Sequence, residues 1–118
     1  MEDLLREKLE NGGIDVNDAM GRFMNSDAMF IKFLKKFPLN TDPEELKKAI
    51  EAGDHEAALA HSHSLKGVCG NLSMKELFDL FNEQVSLYRA GKPEEADAMM
   101  PEIEAKVAAM NELIASLG

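Results

Sequence analysis

Several residue types that would narrow the function of this chain are missing or scarce. It has no tryptophan, one tyrosine and one cysteine among 118 residues. A lone Cys69 excludes an intramolecular disulfide and a cysteine-rich metal site. Alternating apolar residues, the mark of strands, are hardly present; the apolar residues recur at helical spacing instead. Positive charge is the minority sign, 13 Lys and Arg against 22 Asp and Glu, for a net charge of −9. That balance argues against nucleic acid and anionic membrane as partners, because both need a basic face. No apolar run is long enough to span a bilayer. The charged start, Met1-Glu2-Asp3-Leu4-Leu5-Arg6, has no signal-peptide core. We therefore expect a cytoplasmic protein. His61 and His63 are two residues apart and point to opposite sides of a helix, so they cannot share one metal ion. His55, in a first helical turn, should be solvated. No metal site and no resident cofactor are expected.

What is present is a set of helices punctuated by clear stops. Gly12-Gly13 ends a short first helix, and Asp15 should cap a second that runs through Met20, Phe23 and Met24. Ser26 can cap a third, with Phe30, Ile31, Leu34 and Phe37 on its buried face and Pro38 closing it. Pro43 opens a fourth, which carries Leu46, Ala49 and Ile50 and stops near Gly53. Asp54 should cap a fifth, with Ala58, Ser62, Leu65, Cys69 and Leu72 as its core stripe. Ser73 can cap a sixth, bearing Leu77, Leu80, Phe81, Val85 and Tyr88. After a turn at Gly91-Lys92-Pro93, a last helix carries Ile103, Val107, Met110, Ile114 and Leu117. Long helices joined by short turns pack antiparallel. The expectation is an all-α, up-down, antiparallel four-helix bundle with short additional N-terminal helices, and residues 1–118 as a single domain.

The chemistry concentrates in His63-Ser64-Leu65-Lys66-Gly67-Val68-Cys69-Gly70. On a helix, His63, Lys66, Gly67 and Gly70 stand at i, i+3, i+4 and i+7 and share one stripe. An imidazole that is neutral near pH 7 is a competent nucleophile. Lys66, one turn away, can offset the charge of an incoming phosphoryl group as a point charge. Gly67 and Gly70 each sacrifice roughly 1 kcal/mol of helix stability relative to alanine. Two such residues beside one imidazole read as a clearing where another protein's active site can reach in, and Leu59 extends that clearing as an apolar contact. Gln84 interrupts the apolar row Leu77, Leu80, Leu87. Either it faces solvent at the edge of the sixth helix, or it crosses the bundle and fixes the His63 tautomer by a hydrogen bond.

Residues Ala60 to Leu72 resemble the signature of histidine-containing phosphotransfer (HPt) domains, roughly Ala-His-x-Leu-Lys-Gly-x-x-x-x-Leu/Ile-Gly. His63, Leu65, Lys66, Gly67 and Leu72 match it, and Gly70-Asn71 match a common version. Gly53-Asp54 and Ala57-Ala58-Leu59 are similar to the family's lead-in. The chain departs where the family usually has Ala before the histidine (Ser62), Gly after the last Leu (Ser73) and an apolar residue at Gln84.

The resemblance implies a phosphoryl carrier without kinase activity of its own. A receiver domain phosphorylated on aspartate would dock on the His63 face. His63 would hold the group as phosphohistidine and pass it to a second receiver, with Lys66 as charge partner and Gly67 as clearance. Mg²⁺ would belong to the receiver. Expected partners are response-regulator receiver domains, with a hybrid histidine kinase among the donors. The start at Met1 and the lack of linkers suggest a free-standing protein, and the all-helical edges and acidic surface lean towards a monomer. Two other readings compete: a silent helical-bundle adaptor that binds receivers, and the phosphoacceptor domain of a histidine kinase.

Overall fold

The structure is a computed structural model that describes residues 1–117. Among these the chain forms eight helices and no strand. They are α1 (Asp3–Asn11), α2 (Val16–Arg22), α3 (Asp27–Asn40), α4 (Glu44–Glu51), α5 (His55–Asn71), α6 (Lys75–Arg89), α7 (Pro93–Asp97) and α8 (Met100–Ala115). Three expected caps are in place. The side chains of Asp15, Ser26 and Asp54 accept from the amides of Asp18, Met29 and Ala57 at 3.1, 3.2 and 3.0 Å. Each satisfies one of the amides a helix start leaves unpaired.

Tight connections make the long helices antiparallel neighbours. Gly53, at φ +68°, turns α4 into α5, and the Asp54 amide reaches back to the Ala49 carbonyl at 2.9 Å. Gly91, at φ +74°, does the same between α6 and α7. The apolar stripes of α4, α5, α6 and α8 meet in one core, with α3 packed on α8. Phe30, Phe37, Leu46, Phe81 and Ile103 are among its largest wholly buried members. Cys69 lies in it as a small hydrophobe, and burial pushes its thiol up to about 12. The short N-terminal helices close one end: the α1–α2 loop pairs Ile14 with Met74, and the Asp15 amide bonds the Ser73 carbonyl at 2.8 Å.

Three local expectations are corrected. Pro38 does not close α3; the helix runs on to Asn40. Pro38 stands in the last turn, where its missing amide removes only the single bond to Leu34, and the helix absorbs that loss. The segment after Gly91 is not a simple turn. Pro93 starts the five-residue α7, held against α6 by the Tyr88 hydroxyl donating to Asp97 at 2.6 Å. Ser73 does not cap α6 either. The N-cap is Met74, with no side-chain bond, while Ser73 adopts φ +56°.

Ser73 is therefore a left-handed non-glycine residue, a conformation that costs an L-residue about 1–2 kcal/mol. Its hydroxyl donates to the Asp18 carboxylate at 2.7 Å and ties α2 to the turn. The Arg22 guanidinium, and then this hydroxyl, hold the Asp18 carboxyl below its ordinary range. Relief of strain and loss of the bond nearly cancel in Ser73→Gly, which should unfold within about 1 kcal/mol of wild type in urea. Ser73→Ala keeps the strain, loses the bond and should be less stable by about 1–2 kcal/mol. Because the folded Asp18 is depressed, the tie is present above its unfolded pKa and lost as pH falls through the folded one. The stability difference between wild type and Ser73→Ala should therefore shrink in acid.

Candidate functional site

Helix α5 places its residues as 100° steps dictate. Ala58, Ser62, Leu65 and Cys69 are buried, and His63, one step round from Ser62, is exposed at the flank of that stripe. Its neighbours one turn away are Leu59, Lys66 and Gly67. Leu59 is half-buried and packs against the core, so it supplies an apolar footing beside the imidazole. His61 is partly buried on the opposite flank, and His55 is exposed in the first turn.

Lys66 is not a free-swinging cation. Its ammonium lies over the Phe78 ring of α6, 5.7 Å from the centroid. Such a contact contributes about 0.5–1 kcal/mol at an exposed site. It lays the lysine along the α5–α6 surface on the His63 side. Among the described residues Lys66 forms no salt bridge, so its charge is not spent on a carboxylate. Phe78 is the residue that sequence reasoning missed. The signal was an extra aromatic immediately after Leu77, on the flank of the α6 core stripe.

The two glycines have different jobs. A methyl group at Gly67 would meet nothing within 4 Å, so the space over it is open. At Gly70 the same methyl would lie 3.2 Å from the Phe78 ring. Gly70 thus admits Phe78 rather than widening the clearing, which corrects its expected role. No intramolecular contact explains Gly67.

Gln84 neither faces solvent nor reaches His63. It is wholly buried. Ser62 donates its hydroxyl to the Gln84 side-chain oxygen, and the Gln84 amide donates to the Ala96 carbonyl at 3.2 Å and to Met100 Sδ at 3.5 Å. The reason is angular: Ser62 occupies the side of α5 that looks at α6, so His63 has already turned away. Two departures from the HPt pattern, Ser62 and Gln84, are one hydrogen-bonded pair that locks α5, α6 and α7 together beneath the imidazole.

The whole stretch 57–75 lacks Asp and Glu, although the chain has 22 of them. From His63 to its C-terminal end α5 therefore carries no carboxylate that would repel an anionic phosphoryl group, and its one acidic residue, Glu56, lies two turns away in the first turn. Chemically the arrangement offers one accessible nucleophile, one adjacent cation and one bare patch of backbone. It lies on an open helix face rather than in an enclosed pocket.

The all-α bundle thus presents His63 on an open helix face, with a cation one turn away and an uncovered glycine beside it. The sequence model of the Hpt domain matches residues 39–113, and the chain belongs to the Hpt domain family. Hpt domains are phosphocarriers of two-component phosphorelays that interact with receiver domains. Searches of curated proteins and of solved structures found no match. No described helix is long and apolar enough to cross a membrane.

Proposed function

We propose that this protein is a cytoplasmic phosphorelay intermediate that accepts a phosphoryl group on His63 from a receiver-domain aspartate and passes it to another receiver. The observation that carries the reading is His63 exposed beside a Gly67 whose open side has no intramolecular use. A lone-pair nitrogen of the imidazole attacks the phosphorus of the aspartyl phosphate. The N–P bond forms as the P–O bond to the aspartate breaks, and the carboxylate stays on the receiver. Such transfers rest on positioning and charge stabilisation. Leu59 and Gly67 let the receiver approach, and Lys66, steered by Phe78, offsets charge on the phosphoryl oxygens. Mg²⁺ is supplied with the receiver. Each transfer needs one exposed His63 face, which a monomer supplies.

The test is incubation with phosphorylated receiver domains and Mg²⁺. Wild type should gain an acid-labile, alkali-stable label, and His63→Gln should gain none while keeping its helical spectrum. Lys66→Ala should be labelled roughly tenfold more slowly, as expected for one lost charge contact of about 1–2 kcal/mol. Equal loss of label in His61→Gln would move the phosphoacceptor to that residue. No label on wild type from any receiver tried would leave the silent adaptor as the better reading.

A further inference from the structure

Residues 28–41 and 57–75 are the two longest runs of this acidic chain without a carboxylate. The first is the body of α3 and carries Lys32, Lys35 and Lys36. The second is α5 beyond its first turn, with the α5–α6 turn. The fold sets these two runs side by side. A groove of about 320 Å³ lies between them, walled by Phe23, Phe33 and Lys36 on one side and by Val68, Asn71 and Leu72 on the other. Phe33 is 43% exposed, an unusual state for so large an apolar side chain. It is fixed rather than loose: its ring lies 5.6 Å from that of Phe23, and Lys36 Nζ stands 5.2 Å over it. The three lysines are exposed and form no salt bridge among the described residues.

The groove continues the His63 face. His63, Gly67 and Asn71 follow one another at i, i+4 and i+8, and the row drifts round α5 towards α3. Asn71 is two turns beyond His63, about 12 Å along the axis at 1.5 Å per residue. A transient complex buries about 600 Å² per partner, a disc of radius about 14 Å. Centred on His63, that disc reaches the groove.

We propose that the α3 wall of this groove is a second contact for the receiver domain that exchanges phosphoryl groups with His63, and that it selects among receivers. The proposal rests on the reading of His63 as phosphoacceptor. An apolar side chain of the receiver seats against Phe33 and Val68, and a carboxylate beside it pairs with Lys36. Charge favours this occupant: in a chain of net charge −9, a lysine with no salt bridge among the described residues, Lys36, lines this apolar groove, and the helix that carries it has Lys32 and Lys35 but no carboxylate from residue 28 onward. Phe23, Phe33 and Lys36 also precede residues 39–113, the part shared with the Hpt family. Selectivity encoded there can vary without touching the phosphoryl chemistry.

The experiment separates loading from docking. His63 is first loaded with phosphoramidate, a donor too small to need a docking surface. The loaded protein is then mixed with the receiver domain that accepts fastest from wild type. Phe33→Ala and Lys36→Glu should each slow transfer roughly tenfold at subsaturating receiver, the effect of losing one interface anchor. The Lys36→Glu defect should shrink at high salt. Loading by phosphoramidate and the unfolding midpoint should hold in both variants. Unchanged transfer in both overturns the proposal. So does a wild-type dimer that Phe33→Ala dissociates while transfer is untouched, because the groove would then join two copies of this chain. Wild type that takes no label from phosphoramidate overturns the phosphoacceptor reading and this proposal together. Normal loading with wild-type transfer rates in both variants overturns only this one.

Discussion

Ser62→Ala should destabilise the protein by about 2–3 kcal/mol, the cost of leaving a buried polar atom unpaired. Two simpler arguments point the other way: alanine is the better helix former, and the HPt pattern usually has it at this position. The partner decides the outcome. Gln84 is wholly buried, and its side-chain oxygen accepts from Ser62. With the hydroxyl gone, that oxygen keeps its desolvation and loses its donor. Gln84→Leu should be milder, about 1–2 kcal/mol. There the Ser62 hydroxyl can turn back to the Ala58 carbonyl of its own helix. The Ala96 carbonyl also keeps a donor, the Met99 amide at 3.2 Å. The double variant Ser62→Ala/Gln84→Leu removes both polar groups at once and should return to within about 1 kcal/mol of wild type. The coupling energy in urea unfolding should then be about 3–4 kcal/mol, at or above the top of the range for directly interacting residues. Additive single effects would mean that the bond contributes nothing to stability. Phosphoryl uptake by the double variant should match wild type, because neither residue touches the imidazole.

The same pair shows where the sequence is legible and where it is not. The α5 stripe could be read because burial follows the 3.6-residue period. That period alone placed Ser62 inside and His63 at the exposed flank. The caps at Asp15, Ser26 and Asp54 could be read because each acts on an amide three residues away. Gln84 could not be. Its burial depends on Ser62, 22 residues away on another helix, and each residue alone looks like a local irregularity. Phe78 and Gly70 are illegible for the same reason: the ring that fills the space over the glycine comes from α6, and nothing within α5 announces it. Pro38 and α7 are a different matter. Both concern the last or first turn of a helix, where one backbone bond decides the boundary and neighbouring packing outweighs local preference. That His63, Lys66 and Gly67 share one face of α5 is legible in the sequence, because an i, i+3, i+4 cluster on a single helix needs no tertiary information.

Gly67 should yield two results of opposite sign. Its added methyl meets only open space, so Gly67→Ala should raise stability by about 0.5–1 kcal/mol through helix propensity alone. The thermal midpoint should rise by a few degrees, about 4 °C per kcal/mol for a domain near this size. A larger side chain separates stability from function. Gly67→Leu should also hold or raise the unfolding midpoint, since nothing in the fold opposes it. Yet it puts four carbons one turn from His63 on the docking face. Displacing the reacting groups by about 1 Å can slow a transfer about 100-fold, and that is the loss expected in transfer from a phosphorylated receiver. Loading from phosphoramidate should fall far less, because a small donor approaches over the remaining open side. A destabilised Gly67→Ala would mean that the glycine serves the fold. Wild-type transfer in Gly67→Leu would mean that no partner comes close there, and the clearing would have no function. A stable variant that loads normally and cannot exchange with a receiver would show that this glycine gives up helix stability for access to the imidazole.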